Sequence, residues 1–198
     1  MTLTQNSETV IFGGSFNPPT MAHIEVINAC LDLPSCRDLW VVPSGPRADK
    51  DIETSNSDRL AMLELALSRI ACPDLAVIND IELRDTVTQT WRTIGRLASR
   101  YPERKFRFAF GVDSYLSMPL WQGGIDMQRD LPMAIVSRDG TSVPYAANIV
   151  PIYIDVPSGV SSSEVRRRAS LGHDLSGLVC PEIEQYIEQK KLYRRGTI

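Results

Sequence analysis

The chain of 198 residues carries 24 acidic and 21 basic side chains, a net charge of −3, and 43% of its residues are apolar. A chain of this length buries roughly 70% of its unfolded surface, so it needs no disulfide or structural metal, and its apolar content excludes wholesale disorder. The acidic balance excludes a basic coat for nucleic acid while leaving room for a local phosphate pocket.

Cys30, Cys36, Cys72 and Cys180 form no C-x-x-C pair, and with only His23 and His173 beside them they make no zinc set. They read as buried thiols in a reducing compartment. The first ten residues lack the basic and apolar regions of a signal peptide, and no stretch approaches the ~18 apolar residues of a membrane span. The expectation is a cytoplasmic protein without membrane attachment, a single domain over residues 1–198 with its core at about 8–194.

Taken in chain order, residues 9–13 (TVIFG) predict a strand, 22–33 a helix, 39–43 (LWVVP) a strand and 57–70 a helix. Strand 75–79 (LAVIN), helix 88–100 and strand 106–111 (FRFAFG) follow. Strands at 131–137 and 149–154 and helices at 162–171 and 182–190 complete the set. The strands are short and continuously apolar, as strands buried on both faces are. In 57–70, Leu60, Leu63, Leu67 and Ile70 make one apolar stripe. This alternation predicts an α/β fold, a doubly wound Rossmann-like parallel sheet with helices on both faces. The polar stretch 44–56 reads as a solvated crossover or a substrate lid, and 122–130 (QGGIDMQRD) as a flexible surface loop. Ligands of such sheets bind beyond the carboxyl ends of the strands, so the residues just after each strand are the ones to question.

After the first strand comes Gly13-Gly14-Ser15-Phe16-Asn17-Pro18-Pro19-Thr20, then Met21-Ala22-His23. Glycines without a Cβ let the backbone approach a phosphate, although Gly-Gly and Pro-Pro are also ordinary turn punctuation. Thr20 suits a helix N-cap, and His23 falls three residues later on the same face, at the positive end of the helix. A second helix start is written at Ser161–Glu164, which has capping-box spacing, with Arg166 in the following turn. Its guanidinium fork fits two phosphate oxygens, whereas Arg167 and Arg168 cannot share its face and are expected in solvent. Two such N-termini in one α/β chain point to a nucleoside-triphosphate site. The chain has no G-x-x-x-x-G-K-[ST], no G-x-G-x-x-G after its first strand and no G-x-S-x-G, which excludes a P-loop and disfavours a dehydrogenase or α/β-hydrolase.

These residues resemble the nucleotidyltransferases of the nicotinate/nicotinamide mononucleotide adenylyltransferase family. Gly14, Phe16, Pro18, Thr20 and His23 match its G-x-F-x-P-x-[H/T]-x-x-H signature, and 160–166 matches I-S-S-T-x-I-R with Ser163 at the threonine. Gly111, Asp113 and Ser114 match G-x-D-S, with Trp121 at the bacterial spacing; Arg59 and Met62 fit an R-x-x-M helix start, and Tyr186 and Leu192-Tyr193 fit the C-terminal helix and its exit.

The resemblance implies transfer of AMP from ATP to nicotinate mononucleotide, and possible use of nicotinamide mononucleotide, with release of pyrophosphate. It implies His23, Thr20 and Arg166 as catalytic residues. It implies Gly14, Ser15, Phe16, Gly111, Asp113, Ser162 and Ser163 as further ATP contacts, Asp113 toward the ribose. Asn17, Lys50, Thr88, Thr90, Trp121 and Arg138 would take the mononucleotide, the indole stacking on the pyridine and the loop 86–90 meeting its acid or amide. Mg²⁺ would come with the ATP phosphates and use no protein ligands. No nucleic acid or membrane partner is implied; a homo-oligomer is left open. Three positions depart from the pattern: Thr20 and Ala22 replace the histidine and glycine of H-x-G-H, 47–50 (RADK) replaces P-P-H-[KR], and Gln89 stands at a tyrosine. Trp121 and the C-terminal pattern favour this family over pantetheine-phosphate or cytidylyl relatives. The retained His23 and Arg166 favour an enzyme over a nucleotide sensor without turnover.

Overall fold

The computed structural model describes residues 7–46, 52, 54–84, 88–138 and 140–194. Six strands, β1 (Glu8–Gly14), β2 (Cys36–Pro43), β3 (Ala76–Ile78), β4 (Phe106–Gly111), β5 (Met133–Ser137) and β6 (Ile149–Tyr153), form one sheet in the order β3-β2-β1-β4-β5-β6. Every pairing is parallel. The direction of progression reverses between β1 and β4, and a crevice opens there at the carboxyl ends of the strands.

The helices are α1 (Met21–Leu31), α2 (Asn56–Leu67), α3 (Thr90–Arg100), α4 (Val112–Ser117), α5 (Gly124–Asp130), α6 (Ser162–Ser170) and α7 (Pro181–Lys190). Alternation along the central strands divides the core. Val10, Phe12, Leu39 and Val41 pack on one face with Ile27, Met62, Leu63, Val165 and Ile183. Ile11, Trp40, Val42 and Phe108 pack on the other with Leu97 of α3. A third cluster sets Met133 and Ile135 against Met118 and Met127. At the entry end of the sheet Arg107 of β4 pairs with Glu8 of the neighbouring β1, its Nε at 2.7 Å, and Arg104, just before β4, reaches across β1 to Asp38 of β2, its Nη1 at 2.6 Å.

Four elements differ from the sequence reading. Residues 122–130 are not a flexible loop: α5 occupies most of them and Met127 is buried. The Gly-Gly that reads as a breaker starts this helix, because Gly123 takes φ 72° at the N-cap and a Cβ on Gly124 would stand 1.7 Å from the Met118 carbonyl oxygen. α4 follows β4 without a linker and is six residues long, too short for periodicity to reveal. α3 begins at Thr90 rather than 88, since Gln89 is extended at φ −137° and ψ 123°; before it, the Thr88 N–H is given to the Pro46 carbonyl at 2.7 Å. Among the cysteines, Cys30 and Cys180 are buried as expected, Cys36 is half-buried and Cys72 is exposed. In α2 the buried stripe is Arg59, Met62, Leu63, Ala66 and Leu67, with Leu60 at its edge.

Candidate active site

The loop leaving β1 is held from behind by its carbonyl groups. Arg59 Nη1 of α2 donates to the Ser15 carbonyl at 2.9 Å. Arg166 Nη1 donates to that of Asn17 at 2.8 Å, and Ser162 Oγ to that of Pro18 at 2.8 Å. A peptide whose carbonyls are drawn to one side offers its N–H groups to the other, the orientation an anion requires. Phe16 takes φ 45° in the middle of this loop, a strained value for a bulky residue and one that persists where surroundings enforce it. Its ring is 1% exposed and lies edge-on to Phe12 and His23, with centroids 5.5 and 5.1 Å away. The Phe16 side chain is thus core.

His23 occupies the third position of α1 and reaches back to its N-cap. The Thr20 backbone N–H donates to Nδ1 at 2.9 Å, and Thr20 Oγ1 lies 2.8 Å from the same nitrogen. A nitrogen that accepts from a backbone N–H carries no proton, so the neutral ring keeps its proton on Nε2. The imidazole replaces the Glu or Gln of an ordinary capping box. Thr20 is 1% exposed, and its hydroxyl is turned onto His23, whose ring it orients.

α6 brings the second N-terminus against the same loop. Ser161 Oγ accepts from the Glu164 N–H at 3.2 Å, as expected. The Glu164 carboxylate does not complete the box; it pairs with Arg167 and Arg168, both at 2.8 Å, and these guanidiniums hold its pKa down to about 2. Arg166 Nη2 reaches Ser163 Oγ at 3.2 Å.

Beside the loop lies a cavity of about 390 Å³. Gly13, Gly14 and Ser44 line its floor, Thr88, Gln89, Thr90 and Trp91 the α3 side, and Phe110, Ser114, Trp121 and Gln122 the α4 side. Trp121 is half-buried, propped edge-on by Phe110 at 6.2 Å. Gln89 Nε2 donates to Gln122 Oε1 at 2.9 Å, tying the two sides together. Glu82, 7% exposed, lines the base and accepts from Thr93 Oγ1 at 2.6 Å.

The model of the cytidylyltransferase-like family matches residues 11–168, a span that includes the loop after β1, the cavity and the start of α6. The chain belongs to the cytidylyltransferase-like family. Curated relatives named "Probable nicotinate-nucleotide adenylyltransferase" include one from Geobacillus thermodenitrificans, 33% identical over 94% of this chain and 86% of its own. Another, from Carboxydothermus hydrogenoformans, is 31% identical over 93% of this chain and 96% of its own. Among solved structures, nicotinic acid mononucleotide adenylyltransferase of Plasmodium falciparum, complexed with NaAD, superposes with TM-score 0.85 at 24% identity, covering 94% of this chain and 97% of that one. That likeness carries the fold.

Most of the expected residues of this cytidylyltransferase-like chain come together at two places. Gly14, Ser15, His23, Ser162, Ser163 and Arg166 gather at the loop that leaves β1, and Thr88, Thr90 and Trp121 line the cavity. Gly111 and Asp113 lie exposed where β4 passes into α4, and Arg138 is exposed just past β5. Asn17 is 4% exposed, its carbonyl and Oδ1 both accepting protein hydrogen bonds. Lys50, like residues 86 and 87, lies outside the described residues. Sequence reasoning missed Glu82, Thr93 and Trp91 on the cavity wall. It quoted Arg59 and Tyr193 as pattern matches without giving them a task. Glu82 follows β3 closely, so the rule of looking past each strand end pointed at it; nothing in the sequence shows that Arg59 turns inward.

Proposed function

We propose that this chain transfers the adenylyl group of ATP to nicotinate mononucleotide, releasing pyrophosphate, on the pathway to NAD, and that one catalytic domain in the cytoplasm does so. The observation that carries the reading is the loop 15–18, with carbonyls drawn back by Arg59, Arg166 and Ser162 beside a cavity walled by Trp121. The first feature suits phosphates; the second suits a flat heterocycle.

An oxygen of the mononucleotide phosphate attacks the α-phosphorus of ATP, and the bond from that phosphorus to the bridging oxygen breaks as pyrophosphate leaves. The nucleophile is already ionised near neutral pH, so no general base is needed, and catalysis consists of alignment and charge stabilisation. The loop amides from Gly14 to Ser15 and His23 Nε2–H donate to phosphate oxygens, while Ser162, Ser163 and Arg166 hold the departing polyphosphate. Thr20 keeps His23 in the donor tautomer. Gly111 and Asp113 take the adenosine, Asp113 accepting from ribose hydroxyls. Trp121 stacks on the pyridine; Thr88 and Thr90 face its carboxylate, with Arg138 and Lys50 on the same substrate. The donors at the loop are amides, hydroxyls, an imidazole and a guanidinium, and among the described residues no three His, Cys, Asp or Glu side chains cluster. That set fits Mg²⁺ carried by triphosphate oxygens and water, where the ion neutralises phosphate charge.

The test is pyrophosphate release with ATP, Mg²⁺ and either nicotinate or nicotinamide mononucleotide, compared by kcat/KM. Turnover with the acid is expected, and His23→Ala is expected to lower kcat about a hundredfold or more while ATP still binds. Silence of the wild type with both mononucleotides, in protein that binds ATP, refutes the reading.

A further inference from the structure

The chain leaves α7 through two non-glycine residues in the left-handed region, Lys191 at φ 53° and Tyr193 at φ 62°. The first has a local explanation. Lys191 N–H donates to the Glu188 carbonyl at 3.1 Å and Leu192 N–H to that of Ile187 at 3.0 Å, which is how helices commonly end. Tyr193 terminates nothing. A left-handed L-residue is strained, and such strain persists where surrounding contacts enforce it and concentrates at functional sites.

The strained turn delivers one group. Tyr193 Oη donates to Asn17 Oδ1 at 2.7 Å, across 176 positions of sequence. Thr54, just before α2, donates to the same phenol oxygen, which polarises its O–H toward Asn17. Burial pushes the phenol up to about 12, so it remains a donor throughout the working range of pH. Asn17 is thereby held at both ends, its carbonyl by Arg166 and its side chain by Tyr193. The loop segment between Phe16, itself left-handed, and Pro18 then has no rotational freedom left in its central residue.

We propose that Tyr193 is a positioning residue for the transfer reaction, fixing through Asn17 the loop that faces the ATP phosphates. The inference rests on the reading of that loop as a phosphate cradle. It predicts an effect on alignment in the transition state rather than on mononucleotide binding or on folding.

The test is Tyr193→Phe, which removes one oxygen and keeps the ring. kcat is expected to fall about tenfold while KM for the mononucleotide stays within twofold. Tyr186→Phe is the comparison, because the Tyr186 hydroxyl also anchors this end of the chain, donating to Asp58 Oδ1 at 2.8 Å rather than to a residue of the loop. It is expected to leave kcat unchanged. In an Asn17→Ala background, Tyr193→Phe should add no further loss, since its route is already cut. Three results overturn the proposal: kcat of Tyr193→Phe within twofold of wild type, an equal fall in Tyr186→Phe, or losses that multiply in the double variant. An inactive wild type refutes the underlying function instead, and the positioning role falls with it.

Discussion

Gly45 lies where the chain leaves β2 and passes under the cavity wall, and replacing it by alanine perturbs a measurable close approach. A Cβ there would stand 2.0 Å from the Glu82 carbonyl oxygen and 2.6 Å from Thr88 Oγ1, whereas ordinary contact begins near 3.4 Å. The carbonyl is backbone and has no rotamer to change, so the two chains must part by more than an ångström. Overpacking of this kind costs about 1–3 kcal/mol, which for a chain of this size lowers the melting temperature by roughly 2–12 °C. Thr88 is coupled to the same strand exit, its N–H donating to the Pro46 carbonyl at 2.7 Å, so the wall it shares with Gln89 and Thr90 moves as well. KM for the mononucleotide is therefore expected to rise at least fivefold, with KM for ATP changed less than twofold. Gly95→Ala is the matched control: nothing lies within 4 Å of its Cβ, and it sits inside α3. Alanine in an exposed helix interior gains about 0.5–1 kcal/mol, an upward shift of a few degrees. Thermal melts and steady-state kinetics on the two variants decide the matter. A Gly45→Ala protein melting within 1 °C of wild type with unchanged KM refutes the packing argument.

Three further outcomes are expected. Arg59→Met removes a buried guanidinium whose pKa is lowered by burial and which donates to the neutral oxygens of Ser15 and Asn56, so relief of desolvation offsets the lost bonds. Stability should stay within about 2 kcal/mol while kcat falls at least tenfold, as melts and initial rates will read. Thr20→Val should lower kcat three- to tenfold, because the backbone bond to Nδ1 survives and the hydroxyl bond does not; an unchanged kcat would show that the backbone alone orients His23. Burial raises the Cys30 thiol to about 12, against an ordinary value near 9. The folded state then holds a proton that the unfolded chain releases, so stability is full below pH 9 and falls by up to about 4 kcal/mol as pH rises toward 12. Cys30→Ala should flatten that alkaline decline in melts taken between pH 8 and 11.

The sheet was legible because its strands are short, apolar and separated by helix-length stretches, and the parallel order followed from that alternation. Both N-caps at the site were legible because Thr20 and Ser161 stand at fixed offsets from His23 and Glu164. What the chain withheld were relations between distant segments. Arg59 lies on the stripe with Met62, Leu63 and Ala66, where an arginine reads as a surface residue, yet it is 1% exposed because Ser15 and Asn56 supply acceptors inside the fold. That the Thr20 hydroxyl is spent on His23 is likewise a matter of geometry, which a threonine at an N-cap does not announce. α4 and α5 escaped because six or seven residues hold too little periodicity, and because Gly123-Gly124 spells a breaker where close packing on Met118 makes it a helix start.

The loop at residues 15–18 leaves the ribosome well before the groups that shape it, which belong to residues 59, 162, 166 and 193. While residues 60–192 are being added, a nascent chain therefore carries this loop without the full set of contacts that orient it. The loop takes its final shape only after residue 193 clears the exit tunnel and its hydroxyl folds back onto Asn17.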